Sequence, residues 1–106
     1  MILKEGVSLV GLQIQMRPVL MGAESIWKSH GREEGVTVTA GTDGTHSAGS
    51  LHPYGYALDL RTHYWEKPEI SKVAIELQDA LGDDYDVIIH STHIHCEYQR
   101  VLENKL

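Results

Sequence analysis

Apolar residues recur at helical spacing in two stretches of the chain and alternate with polar ones in several shorter stretches. From Pro18 to His30, Val19, Ala23, Ile26 and Trp27 fall on one stripe of a helix. Pro18 suits a first-turn position and Gly31 a C-terminal cap, so the same segment carries its own start and stop. A second helix is predicted over Pro68 to Leu81, with Ile70, Val73, Ala74, Leu77 and Leu81 on the buried side and Gly82 closing it. Between them, Gly35 to Ala40 ("GVTVTA") reads as a short strand with Val36 and Val38 on one face.

Residues 41–54 form a loop rich in Gly, Ser and Thr. Gly55 to Thr62 then alternates, with Tyr56, Leu58 and Leu60 on one face and Ala57, Asp59 and Arg61 on the other. Tyr85 to His90 is a strongly β-prone run, and His93 to Gln99 alternates as its expected neighbour. The order helix, strand, strand, helix, strand, strand predicts an α+β fold: a small antiparallel sheet with helices packed on one face.

A length of 106 residues suits a single domain spanning 1–106. Without phenylalanine, the core aromatics must come from tyrosine and tryptophan. A formal charge of −6 argues against a nucleic-acid partner, which needs clustered Lys and Arg, and against a polybasic membrane anchor. Cys96 is the single cysteine, so neither an internal disulfide nor a thiolate zinc pair is available. Alternation turns it toward the core, away from the histidines. Glu5, Gln13 and Gln15 interrupt the N-terminal apolar run, which therefore does not read as a signal peptide, and no window suggests membrane insertion. Synthesis in the cytoplasm is the expectation. Oligomeric state is not legible.

Histidine is distributed unevenly along the chain. Seven are present, and four lie within "HSAGSLHPYGYALDLR" (46–61) and "THIHCEY" (92–98). In the second stretch His93, His95 and Glu97 share one strand face. If that face aligns with the polar face of the 55–62 strand, Asp59 comes close to His93 and His95. His52, in the loop entering that strand, can fold back over its start. Two imidazoles, a carboxylate and a spare imidazole then share a concave surface. Imidazole nitrogen and carboxylate oxygen suit Zn²⁺ at roughly 2.0–2.2 Å, and three protein ligands leave a position open for water, the mark of a catalytic site. His30 reads as a surface residue favoured by the helix dipole, and His63 and His90 as structural or surface residues.

The segment "SLHPYGYALDL" (50–60) resembles the Ser-x-His-x-x-Gly-x-Ala-x-Asp-Leu signature of the zinc D-alanyl-D-alanine carboxypeptidase family, which includes the L-alanyl-D-glutamate endopeptidases of phage lysins. Ser50, His52, Gly55, Ala57, Asp59 and Leu60 match it, and "HIHCEY" is similar to the family's terminal His-x-His strand. The resemblance implies a zinc site of His52, Asp59 and His95 in a cleft on the sheet, with His93 as base or transition-state stabiliser. Other branches carry a glutamate three residues before the last ligand. Thr92 stands there in this chain, and Glu97 is the reserve candidate for acid–base work. Ser50 is a substrate-binding candidate and, with Gly55 and Ala57, shapes the turn. The family's usual arginine upstream of the first ligand has no counterpart between Val38 and Leu51. Arg32 and Arg61 are possible substitutes, Arg61 because it shares the face of Asp59. His46 is either a substrate-binding residue or a solvated loop histidine. Tyr54, Tyr56, Tyr64 and Trp65 either line a cleft or serve packing.

Peptidoglycan stem peptides are therefore the implied substrate, and a phage or prophage lysis enzyme the implied setting. Such an enzyme reaches the wall through a holin or as part of a virion. The alternative is a weakly active or inactive zinc-containing module of the same fold that binds cell wall or belongs to a virion. A cupin-type oxidase or isomerase, also built on His-x-His, is disfavoured because Glu97 follows the second histidine too soon and two helices are predicted.

Overall fold

The computed structural model describes residues 1–44 and 49–99. Its strands are β1 (Ile2–Leu3), β2 (Thr37–Ala40), β3 (Ala57–Arg61), β4 (Tyr85–Ile89) and β5 (His93–Tyr98); its helices are α1 (Arg17–Ser29) and α2 (Lys67–Leu81). Short 3-10 turns cover Ile14–Met16 and His52–Tyr54. The strands form one sheet in the order β1-β2-β3-β5-β4. Pairing is antiparallel except at one edge, where β1 runs parallel to β2. The expected all-antiparallel sheet is thus corrected to a mixed one. A two-residue strand has no periodicity to read, and β1 is held by Ile2 N–H on Val36 O (2.8 Å) and Lys4 N–H on Val38 O (3.0 Å).

Alternation sorts the sheet into a dry face and an open one. Leu58, Leu60, Ile94 and Cys96 are fully buried, joining Val38 of β2, Val19, Ala23 and Trp27 of α1, and Ile70, Val73 and Leu77 of α2 in one core. Each large aliphatic side chain so buried contributes about 1.5–3 kcal/mol, which makes this face the dominant constraint on register. Both helices lie on it. The other face, with Asp59, Arg61, His93, His95 and Glu97, is left to the site.

Two features fix the sheet where the site needs it. The Arg61 carbonyl accepts from Trp27 Nε1–H (2.9 Å) and from the Tyr64 hydroxyl (3.0 Å), tying β3 to α1 and to the loop before α2. Trp65 packs on Trp27 (ring centroids 5.3 Å apart) and on Tyr64 (4.9 Å), while Tyr56 stacks on Tyr98 (6.1 Å). For Tyr56, Tyr64 and Trp65 packing is the observed role, whereas Tyr54 is exposed. Across the helices, His30 is wedged between two carboxylates of α2: its Nε2 lies 2.6 Å from Glu76 and its Nδ1 contacts Glu69. Its side chain keeps only 12% exposure, so the surface reading of His30 is corrected to a helix-to-helix pin.

Candidate metal centre

The site begins with a turn. Ser50 Oγ accepts the His52 backbone N–H (3.2 Å), and the 3-10 turn from His52 to Tyr54 ends on Gly55 in the left-handed region, φ 82°. A Cβ at Gly55 would lie 2.2 Å from the Gly11 carbonyl oxygen, so no larger residue fits there without moving the backbone. The turn drops the His52 ring to 4% exposure over the start of β3. Gly41, whose carbonyl meets that ring, is itself pressed against the backbone of Ser8, 2.3 Å from where a Cβ would stand. Asp43 Oδ1 ties the same region together by accepting from Ser8 N–H (3.0 Å) and Gly41 N–H (2.8 Å).

Strand register brings in the rest. Asp59 is paired directly with His95, and Arg61 with His93. Asp59 Oδ1 lies 3.2 Å from His52 Nε2 and 2.9 Å from His95 Nδ1, and Oδ2 lies 3.6 Å from His93 Nε2. Burial disfavours the Asp59 charge, but the hydrogen bonds from His52 and His95 outweigh it and hold the carboxyl far below its ordinary range. Asp59 is therefore a carboxylate at any working pH. The hydrogen bond to Asp59 also raises His95, against the effect of burial.

His52 shows why a cation suits this centre. Its Nδ1 is 2.8 Å from the Gly41 carbonyl, an acceptor, so Nδ1 carries hydrogen and donates. In a neutral ring Nε2 is then a bare lone pair, and it points at another acceptor, Asp59 Oδ1. Two lone pairs at that range repel unless a proton or a metal ion stands between them. His95 repeats the pattern, with Nδ1 toward Asp59 and Nε2 2.7 Å from Glu97 Oε1. The ligand atoms of His52, Asp59 and His95 lie within 4.8 Å of one another, and the group can hold a metal ion.

Around this trio the other expected residues fall into distinct places. Glu97 accepts from His95 Nε2 and contacts Gln99 through its second oxygen, the position of an outer carboxylate that orients a histidine ligand. His93 borders the cleft with Nδ1 3.1 Å from Thr92 Oγ1, and its pKa is lowered, first by burial and then by the neighbouring histidines, against the pull of Asp59. It is thus biased toward the neutral form that can accept a proton. Ser50 spends its hydroxyl on the backbone of the turn. Arg61 lines the cleft, whereas Arg32 bonds Glu34 (2.8 Å) and lies over the Tyr64 ring (3.8 Å). His46 lies outside the described residues. Cys96 is buried on the dry face, its thiol pushed up to about 12 by burial.

Three residues near the site were not among the expected site residues. His90 stacks on His93, ring centroids 4.9 Å apart, because the short connection at Ser91 and Thr92 sets the two face to face. Lys4 and His63 line the same cleft as Arg61 and His93. The hairpin spacing could have found His90. Lys4 could not have been found, since its placement depends on β1.

Comparison with known protein families, curated proteins and solved structures finds no match for this chain.

Proposed function

We propose that this protein is a zinc-dependent peptidase that cleaves peptide bonds in peptidoglycan stem peptides. The observation that carries the reading is the convergence of His52 Nε2, Asp59 Oδ1 and His95 Nδ1 on one point beside an open cleft. Two imidazoles and a carboxylate are a donor set for zinc, and tetrahedral zinc with three protein ligands keeps a fourth position for water or substrate. The signature resemblance of residues 50–60 supplies the substrate class. When bound, zinc would polarise the scissile carbonyl and lower the pKa of a water toward neutrality.

The chain's own residues do the rest. Gly41 and Glu97 fix the tautomers of His52 and His95, so that the nitrogens facing Asp59 are the ones free to ligate. His93, on the Oδ2 side of Asp59, takes the proton released as the new carbon–oxygen bond forms and returns it to the leaving amine nitrogen. Water is thereby split across the peptide bond, its oxygen on the new carboxylate and its two protons on the leaving amine, which departs as an ammonium.

The test is mass spectrometry of peptidoglycan digested with and without a chelator, alongside zinc analysis of the purified protein. About one zinc per chain and chelator-sensitive release of one defined peptide product support the reading. A zinc-free protein that still cuts the wall overturns it. Thr92 standing where related enzymes carry glutamate favours a second reading, a zinc-containing wall-binding or virion module. Zinc occupancy with wall binding and no new amino groups after long digestion selects that one.

A further inference from the structure

The Gly41 carbonyl sets the tautomer of His52, yet glycine is the residue least able to hold its own carbonyl in one direction. Nothing larger fits at this position, because a Cβ there would stand 2.3 Å from the Ser8 carbonyl oxygen. The restraint that Gly41 lacks comes from a neighbour. Asp43 Oδ1 accepts both Gly41 N–H (2.8 Å) and Ser8 N–H (3.0 Å), so one oxygen fastens two segments distant in sequence. Thr42 closes the ring, giving its N–H to the Ser8 carbonyl (2.8 Å) and its hydroxyl to the Val10 carbonyl (2.7 Å).

Two peptide planes flank the Gly41 α-carbon, and both are pinned. The plane that carries Gly41 N–H is held by Asp43. The next carries the Gly41 carbonyl and Thr42 N–H, which point in opposite directions across a planar trans unit. Thr42 N–H on the Ser8 carbonyl therefore aims the Gly41 carbonyl the other way, where it meets His52 Nδ1 at 2.8 Å. Ser8 is itself kept in place by its N–H on the same Asp43 oxygen. With that carbonyl fixed, the buried His52 ring carries hydrogen on Nδ1 and presents Nε2 to the metal centre, 3.2 Å from Asp59 Oδ1. With the carbonyl free to swing, either nitrogen could carry the hydrogen.

We propose that Asp43 is a positioning residue of the metal centre, which fixes the Gly41 carbonyl on His52 Nδ1 and so commits Nε2 to the metal. It works as an acceptor at one point in space, not as a ligand and not as a counter-charge. The inference rests on the metal-centre reading of the site and not on the peptidase one.

Zinc affinity is measured by competition titration in wild type, Asp43→Asn, Asp43→Glu, Asp43→Ala and Ser8→Ala. Long-range proton–nitrogen NMR spectra of the zinc-saturated proteins then report which His52 nitrogen carries hydrogen and how fast that proton exchanges with water. Asparagine keeps an oxygen with two lone pairs at Oδ1 and removes the charge. Glutamate keeps the charge and carries its oxygens one methylene further out. Asp43→Asn should therefore bind zinc as wild type does, with a protected hydrogen on Nδ1 and ligation through Nε2. Asp43→Glu and Asp43→Ala should bind about tenfold more weakly, with the Nδ1 proton in rapid exchange. Ser8→Ala removes the bond that Ser8 Oγ accepts from Val10 N–H but leaves Ser8 N–H on Asp43, so it should match wild type. Should Asp43→Ala fail to fold, the contrast between asparagine and glutamate still decides. Wild-type affinity in Asp43→Glu, weakened affinity in Asp43→Asn, an equally protected Nδ1 proton in every variant, or a wild type that takes up no zinc overturns the role. Zinc binding with that contrast intact and no cleavage of the wall supports the role and removes only the peptidase.

Discussion

Asp59 and His95 sit directly opposite one another on neighbouring antiparallel strands, with Oδ1 and Nδ1 2.9 Å apart. Backbone pairing, rather than a flexible loop, sets that distance. Two of the three residues of the candidate metal centre are therefore as rigid as the sheet, and only His52 depends on a turn.

From this rigidity follows a contrast between inner and outer residues of the site. Asp59→Ala or His95→Ala should abolish stoichiometric zinc binding. Glu97→Gln should weaken it by about 10–100-fold, because the amide still reaches His95 but no longer holds its Nε2–H as a carboxylate does. Competition titration with a chromophoric chelator measures both. Unchanged zinc affinity in Glu97→Gln, with activity lost, would return Glu97 to the role of acid–base residue.

His93→Ala should separate binding from turnover. Its Nε2 is 3.6 Å from Asp59 Oδ2, outside the trio, so zinc content should stay near the wild-type value. Hydrolysis of stem peptides should fall by about 10²–10⁴-fold, the range for loss of a positioned proton carrier. A variant with wild-type kcat would remove His93 from the chemistry.

Gly55→Ala tests the turn. The new methyl would stand 2.2 Å from the Gly11 carbonyl oxygen on a residue with φ of 82°. Backbone strain alone costs about 1–3 kcal/mol, and the collision adds to it. Urea unfolding of the metal-free protein should show a loss of about 2 kcal/mol or more, with zinc affinity reduced because His52 follows the turn. Wild-type stability would mean that the Gly11 segment gives way freely.

The helix pin carries a pH signature far from the metal. His30 is raised above its ordinary value of 6.5, chiefly by its hydrogen bond to Glu69 and despite burial. A raised histidine binds its proton more tightly folded than unfolded. Its stabilisation is thus fully present below the unfolded value near 6.5 and is lost as pH rises through the higher folded value. Glu69 and Glu76 are solvent-accessible, so screening keeps the effect small. The Tm difference between wild type and His30→Gln should be larger at pH 6 than at pH 9; a difference independent of pH would refute the pin.

Much of this arrangement was written in periodicity. The 3.6-residue pattern marked both helices to within a residue at each end, and strand alternation put Asp59 on one face with Arg61, and His93 with His95 and Glu97. What could not be read depended on contacts distant in sequence. The strand formed by Ile2 and Leu3 exists because Val36 and Val38 offer carbonyls, and with it comes Lys4. His30 finds Glu69 and Glu76 only once α1 lies on α2. The tautomer of His52 rests on Gly41, eleven residues away, in a turn with no regular pattern.

The dry-face position of Cys96 has a consequence for folding fidelity. Along β5 a slip of one residue against β3 would exchange the two faces, burying His93, His95 and Glu97 while exposing Ile94 and Cys96. A slipped chain would lose the imidazole trio and present a thiol instead. Cobalt(II) would then distinguish the two registers by colour, since only thiolate coordination gives an intense sulfur-to-metal charge-transfer band. A metal held by the trio would accordingly proofread strand alignment, and the spectrum of added cobalt would serve as an assay for correctly zipped molecules.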